Sequence, residues 1–415
     1  MLVIVTGDER LKLRRDLQPV RGRVQDREVI LLRDPLALSS QVVALGVGAI
    51  QVLQLLDGTR DLPRLRLDAI HLAGGDVAAG DDAQQLVEVL DERCLLDNGR
   101  FRESCRQVLE EWRSVAERPP AFVGSAYPSD ATELSRSIED VLDHAPEIGA
   151  VLPPGRLVAL VAPHIDLAQG WAVYGAAYGL LAQLAPEPER ILVMGTGHAM
   201  EEDMLCPTDK RYRTPLGLTD TDEQTVAEVR VAGNLGEDDL AHRGEHSAEF
   251  QIVFLQHLYA DDLPPLVPLL CGDASRHLDA TDRPSELPGV APVIEKLHSR
   301  VESGQTLVVA GVDLCHVGPK FGHREPSSSL LAEAVEHETA LIDALERVDP
   351  AALWAEARRV SDRYHVCGLS SLGILLELLP EGTRGALLCR DVMREEETAS
   401  AVGHAALAFF HDPGG

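Results

Sequence analysis

Three apolar stretches of this chain end in residues that can bind metal or move protons. RLVALVAPHID ends around His164, RILVMGTGH ends in His198, and TLVVAGVDLCH delivers Asp313, Cys315 and His316. A fourth stretch, HVCGLSSLG, offers His365 and Cys367 ahead of a helix, and RGEHSAEF offers Glu245 and His246 ahead of another. Imidazole nitrogens suit iron, copper or zinc, a thiolate favours softer ions, and histidine titrates near neutral pH. Taken singly, each has a plain alternative. A histidine after a strand is more often hydrogen-bonded structure than a ligand, and Cys315 reads as a packing thiol. Cys367 reads equally as a core residue at a helix start, and helix capping by Ser247 competes with a pocket role for His246. Convergence of several strand ends is what favours a site.

The elements that carry these residues are legible as a pattern. RLVALVAP, RILVMGTG, PPLVPLLCG and TLVVAGVDL are short, nearly continuous apolar runs, suited to strands buried on both faces. Helical spacing recurs between them near 170–184, 221–231, 246–259 and 287–303, and segments 384–391 and 400–410 read as later strands. Such alternation predicts an α/β fold with a central, largely parallel sheet, and ligands gather beyond the carboxyl ends of parallel strands. FVGSAYPSDATELSRSIEDVLDHA opens this part with a helix whose cap candidates are Ser129, Asp130 and Thr132. Upstream, REVILLRDP predicts a strand and a turn, and residues 39–59 a helix with a serine cap and an Asp-Gly stop. A short helix at about 60–72, a capped helix and a strand at CLLD complete a small module. Residues 101–117 read as a connecting helix that ends at Arg-Pro-Pro.

Composition narrows the classes of function. The chain has 415 residues with 38 Lys+Arg against 67 Asp+Glu, and nearly all of the net charge of −29 falls beyond residue 120. An acidic body repels phosphate backbones, so nucleic acid is not expected as a partner. No apolar run is long enough to span a bilayer, and MLVIVTGDERLKLRR places charge where a signal peptide needs apolar residues, so no membrane contact and a cytoplasmic location are expected. Seven cysteines without CxxC spacing fit reduced thiols.

The ordered motifs APHIDL, GTGH, YRTPLG (212–217), EHSAEF (245–250), VDLCHVGPKFG (312–322) and CGLSSLG (367–373) resemble those of the Memo family, whose prokaryotic members are called AmmeMemoRadiSam system protein B. The opening GSAYPSD is similar to that family's start, and the resemblance covers residues 121–412. It implies a three-layer α/β/α sheet similar to the class III extradiol dioxygenases, with a metal pocket associated with iron or, alternatively, copper. Carried over by motif, the resemblance puts the APH histidine at His164, the DxCH pair at Asp313 and His316, and the CG cysteine at Cys367. His164, His198 and Cys367 are then the metal ligands, His316 the acid or base, Asp313 an orienting carboxylate, and His246 a further catalytic candidate. Two motifs depart from the family pattern: GTGHA stands where GPSHH is usual, so Ala199 replaces a second histidine, and Ile165-Asp166-Leu167 replaces the aromatic that follows APH.

The same resemblance implies an iron- or copper-dependent, dioxygenase-like oxidoreductase acting with an AMMECR1-type protein and a radical SAM enzyme. The alternative is a non-catalytic protein that binds a peptide or partner through this pocket. Metal-dependent hydrolysis ranks last, because no HExxH or paired-carboxylate signature is present. LLDGTRDL followed by QQLVEVLDERCLLD resembles the PqqD-type winged-helix domain, which grips a peptide. The expected organisation is therefore a PqqD-like winged-helix domain at 1–100, a connecting helix at 101–120 and a Memo-like domain at 121–412.

Overall fold

The computed structural model describes residues 9–14, 17–24, 27–34, 38, 43–200 and 203–414, and falls into two compact units, Met1–Ser114 and Val115–Gly415. In the first unit, strands Gln18–Val24, Arg27–Arg33 and Val43–Gly46 form an antiparallel sheet in that order. A second pair joins Leu11–Lys12 to Asp57–Arg60. Helices Leu62–Leu72, Ala78–Glu92 and Gly99–Ser114 follow. Asp61 starts the first of these by accepting from the Arg64 backbone N–H, with proline at the tolerated second position. Leu11, Ile30, Leu32, Leu65, Val87, Leu90, Leu95 and Leu96 make its core.

Two expectations fail in this unit. Residues 43–59 are not one helix but a strand, a single turn of 3-10 helix, the short helix Ile50–Leu53 and a strand, while the expected serine caps at 39 and 40, and the Asp-Pro turn at Pro35, lie outside the described residues. Val43 and Leu45 pair with Leu32 and Ile30 across the sheet, and this tertiary pairing overrides a periodicity that both structures can satisfy. CLLD is not a strand either; it contributes one isolated bridge, Leu13 to Leu96.

In the second unit the four apolar runs are strands Arg156–Ala162, Arg190–Thr196, Leu266–Cys271 and Thr306–Gly311, all mutually parallel in the order 156–162, 306–311, 190–196, 266–271. Antiparallel strands complete a mixed eight-stranded sheet. Ser400–His411 pairs with Arg156–Ala162 and carries Arg384–Glu395 and His316–Val317, while Leu205–Pro207 flanks Leu266–Cys271. Side chains alternate between two cores, as strand geometry requires. Val308 and Ala310 enter one core, with helices Val290–Glu302, Ser327–Glu346 and Leu369–Leu378; Leu307 and Val309 enter the other, with helices Ala131–Asp143, Trp171–Leu184 and His246–Tyr259. Asp130 alone of the three cap candidates starts the 131–143 helix through its side chain. Among the described residues no helix is long and apolar enough to cross a membrane.

A buried neutral histidine makes this unit sensitive to acid. His242 is fully buried; its Nε2 donates to the Cys206 carbonyl at 2.8 Å and its Nδ1 accepts from the Tyr212 hydroxyl at 2.8 Å. Burial holds its pKa down at about 4, from an ordinary 6.5. The unfolded chain therefore takes up a proton that the folded one refuses. The contribution of His242 is complete above pH 6.5 and shrinks as pH falls toward 4, by on the order of 3 kcal/mol at most. Urea unfolding followed across that window should show the loss, with a shallower slope in His242→Gln.

Candidate metal centre

The strand ends deliver their side chains to one carboxyl edge of the sheet. His164 follows strand 156–162, and its loop is pinned on both sides. The Gln251 amide donates to the Pro163 carbonyl at 2.9 Å, and the Tyr174 hydroxyl donates to the Ile165 carbonyl at 2.9 Å. Asp313 Oδ1 accepts from the His164 and Ile165 backbone N–H groups at 3.0 and 3.3 Å. His164 Nδ1 lies 2.9 Å from the Gly311 carbonyl, which can only accept, so Nδ1 carries hydrogen and Nε2 keeps the lone pair in the neutral ring. That Nε2 faces Cys367 Sγ at 3.3 Å and Asp313 Oδ2 at 3.6 Å.

His198 follows strand 190–196. Its Nδ1 is 3.1 Å from both oxygens of Glu245, and its backbone N–H donates to the same carboxylate at 3.1 Å. Cys367 sits just ahead of the Leu369–Leu378 helix, whose start approaches the sheet so closely that a Cβ on Gly368 would lie 2.5 Å from Val312. One ligand atom from each of His164, His198 and Cys367 lies within 4.8 Å of the others. A second set, His198, Glu245 and His246, meets the same criterion.

Electrostatics favour the charged forms of the thiol, the carboxylate and the His164 ring here, so an ion would have to displace a proton from that ring. Burial alone would raise the Cys367 pKa, but the His164 and His316 imidazoles overcome it and hold the thiol down at about 5. His164 is pushed up to about 9: burial opposes its charge, and Asp313 and Cys367 outweigh that. Asp313 is lowered despite burial, chiefly by His164 and His316. Burial takes His246 the other way, down to about 3, against the pull of Glu245. Cys315 is buried and its thiol is raised well above its ordinary value by that burial, which leaves it a packing residue.

The remaining sequence candidates fall around this group. His316 Nδ1 donates to the Leu314 and His365 carbonyls at 2.9 and 3.2 Å, and its ring stands edge-on to Phe321 at 4.8 Å. His246 begins the 246–259 helix, with ring centroids 5.1 Å from His164 and 4.9 Å from His198. Glu245, not Ser247, caps that helix, by accepting from the Ser247 N–H at 2.9 Å; Ser247 Oγ instead exchanges bonds with the Thr196 backbone. His365 lies at φ 49°, in a loop where Ser361 and Asp362 are also left-handed, and stacks edgewise on His323 at 5.1 Å. Asp166 is an exposed turn residue whose carboxylate accepts from the Ala168 N–H at 3.0 Å.

Glycine lets the 246–259 helix reach the site. A Cβ on Gly311 would lie 2.2 Å from the Ser247 carbonyl, and one on Gly195 would lie 2.5 Å from Ser247 Oγ. The side chainless strand ends therefore admit the first helical turn, and with it Glu245 and His246.

Arg118 and Glu249 form a buried ion pair that the sequence did not single out. Arg118 also donates to the His242 and Glu245 carbonyls at 3.0 and 2.7 Å and lies over the Tyr212 ring. Glu249 accepts further from the Ala121 and Phe122 N–H groups, each at 3.0 Å, and from the Tyr127 hydroxyl. This clamp fixes segment 118–127 over the helix start and sets Phe122 against His246, centroids 5.3 Å apart.

A family model described as Memo-like protein matches residues 118–408. The chain is 28% identical to a MEMO1 family protein of Aquifex aeolicus over 402 residues, covering 95% of this chain and 98% of that protein. It is 27% identical to a MEMO1 family protein of Thermus thermophilus, covering 79% and 92%, and 29% identical to one of Methanopyrus kandleri, covering 71% and 99%. The family model spans the whole parallel sheet and every residue of the clustered site, and the chain belongs to the Memo-like family.

Proposed function

We propose that the chain binds iron, or alternatively copper, through His164, His198 and Cys367 and uses it as a dioxygenase-like oxidoreductase. The observation that carries this is the meeting of two imidazoles and a thiolate from three separate elements within 4.8 Å. The donors fit such an ion: His164 and His198 each spend Nδ1 on a protein acceptor and keep Nε2, and the thiol is held ionised. Once an ion displaces the Nε2 protons, two imidazoles and one thiolate would suit a redox metal with positions left open. The bound ion supplies one-electron chemistry.

The protein's own groups divide the other tasks. Asp313 holds the main chain of the His164 loop through two N–H groups and so orients that ring. His316, with Nδ1–H committed to two carbonyls, keeps Nε2 to take or give a proton. His246 stands beside both histidines as a further acid–base group. Helices on both faces of the sheet, with these groups at its carboxyl edge, support a three-layer fold like that of class III extradiol dioxygenases.

The same reading takes residues 1–100 as a PqqD-like winged-helix domain holding a peptide, 101–120 as its connector and 121–412 as the oxidative domain. It assigns an AMMECR1-type protein and a radical SAM enzyme as partners, in the cytoplasm. Anaerobic purification followed by metal analysis and oxygen uptake with candidate aromatic substrates tests it. Stoichiometric iron or copper with substrate-dependent uptake is expected; a chain that takes up neither metal sinks it.

A further inference from the structure

We propose that the edge of the sheet opposite the candidate metal centre holds a second binding site, in which Arg156 and Thr306 receive a small monocarboxylate with an apolar body. It does not rest on the metal reading. About 20 Å, the length of a seven-residue strand, separates the two edges.

Neighbouring strands leave polar atoms unpaired at this edge. Arg156 and Thr306 begin adjacent parallel strands, Arg190 stands opposite Thr306 on the next strand, and His411 stands opposite Arg156 on the other side. Arg156 Nη1, Thr306 Oγ1, Arg190 Nη1 and His411 Nδ1 are buried without a hydrogen-bond partner, four of the ten such side-chain atoms among the described residues. Buried polar groups nearly always find a partner, so four at one edge call for a partner from outside the chain.

Charge narrows what that partner is. Arg190 is neutralised by Asp222, whose Oδ2 lies 2.6 Å from Nε. Arg156 is half-buried, and among the described residues no carboxylate pairs with it; its Nη2 donates to the Val301 and Glu302 carbonyls. Gly304, at φ 84°, closes over the guanidinium, where a Cβ would lie 2.9 Å from Nη1. The cation thus faces carbonyls and no anion. A groove of about 400 Å³ lies beside it, lined by Arg156, Gly304 and the 2% exposed Thr306, and walled by Leu157, Leu184, Pro186 and Pro188. One guanidinium nitrogen and one hydroxyl match the two oxygens of a carboxylate, and the walls match a hydrocarbon body. Glu187, which also lines the groove, opposes a dianion such as phosphate.

The test is calorimetric titration of the full chain, freed of metal by chelator, with benzoate, benzamide and inorganic phosphate. Saturable binding of benzoate is expected, with the neutral benzamide weaker by about 10-fold or more, the factor that a hydrogen bond to a charged group is worth. Thr306→Val keeps the shape and removes an unpaired hydroxyl, so it should fold normally and bind benzoate about 10-fold more weakly. Leu184→Trp, at a residue 41% exposed, should fill the groove and abolish binding while the chain stays folded. Absence of saturable binding overturns the proposal, as does equal binding of benzamide or a preference for phosphate. So does binding that survives Leu184→Trp and is lost in Cys367→Ala, which would put the carboxylate at the metal centre instead. A chain that takes up neither iron nor copper sinks the metal reading and leaves each of these outcomes readable.

Discussion

Replacing Cys367 by alanine should lower affinity for iron(II) or copper by more than 100-fold, roughly, because even outer partners of a ligand are worth 10- to 100-fold. The thiolate is the only anionic member of the His164, His198 and Cys367 set. Its loss leaves two imidazoles and no anionic donor in the set. His316→Ala is the contrasting variant. It should keep its metal and lose turnover, since His316 contributes a proton-handling Nε2 and no member of the ligand set. Metal content after dialysis, beside turnover, reads both; a Cys367→Ala protein that retains its metal would exclude this set.

Glu249→Gln should be the most destabilising single change at the site's periphery. Arg118 and Glu249 are both fully buried, and removing one charge strands the other. Breaking such a pair costs about 3–5 kcal/mol. At roughly 2–4 °C per kcal/mol for a domain of this size, the thermal midpoint should drop by on the order of 10 °C. Because Glu249 also anchors the Ala121 and Phe122 N–H groups, segment 118–127 should loosen first, visible as faster amide exchange there. Arg118→Met combined with Glu249→Leu should recover part of the loss and not all of it, since the His242 and Glu245 carbonyls lose their donor. An unchanged midpoint in Glu249→Gln would show that the pair carries no stability.

What could be read from the sequence follows from what is local. The four parallel strands were legible because strands covered on both faces must be continuously apolar, and RLVALVA or TLVVAG admits little else. The histidines and Cys367 were legible because each stands directly after a strand or before a helix. Residues 39–59 misled because valine and leucine at mixed spacing suit helix and strand alike, and only pairing with Arg27–Arg33 decides. Glu245 offered no local sign of its role, since its partner His198 lies 47 residues away and two glycines must first admit the helix start. Arg118 and Glu249, 131 residues apart, were invisible for the same reason.

His164 and Cys367 are separated by 203 residues along the chain. A half-made chain lacks one of them, so on the proposed metal reading loading would follow completion of the last helix, and a nascent chain would gain nothing from the ion. Once the fold exists, an ion that binds only that state acts as a late staple. At a free concentration 100 times its dissociation constant it adds about 2.7 kcal/mol to the folded form, so the metal-free and metal-loaded proteins should differ in lifetime as well as in chemistry.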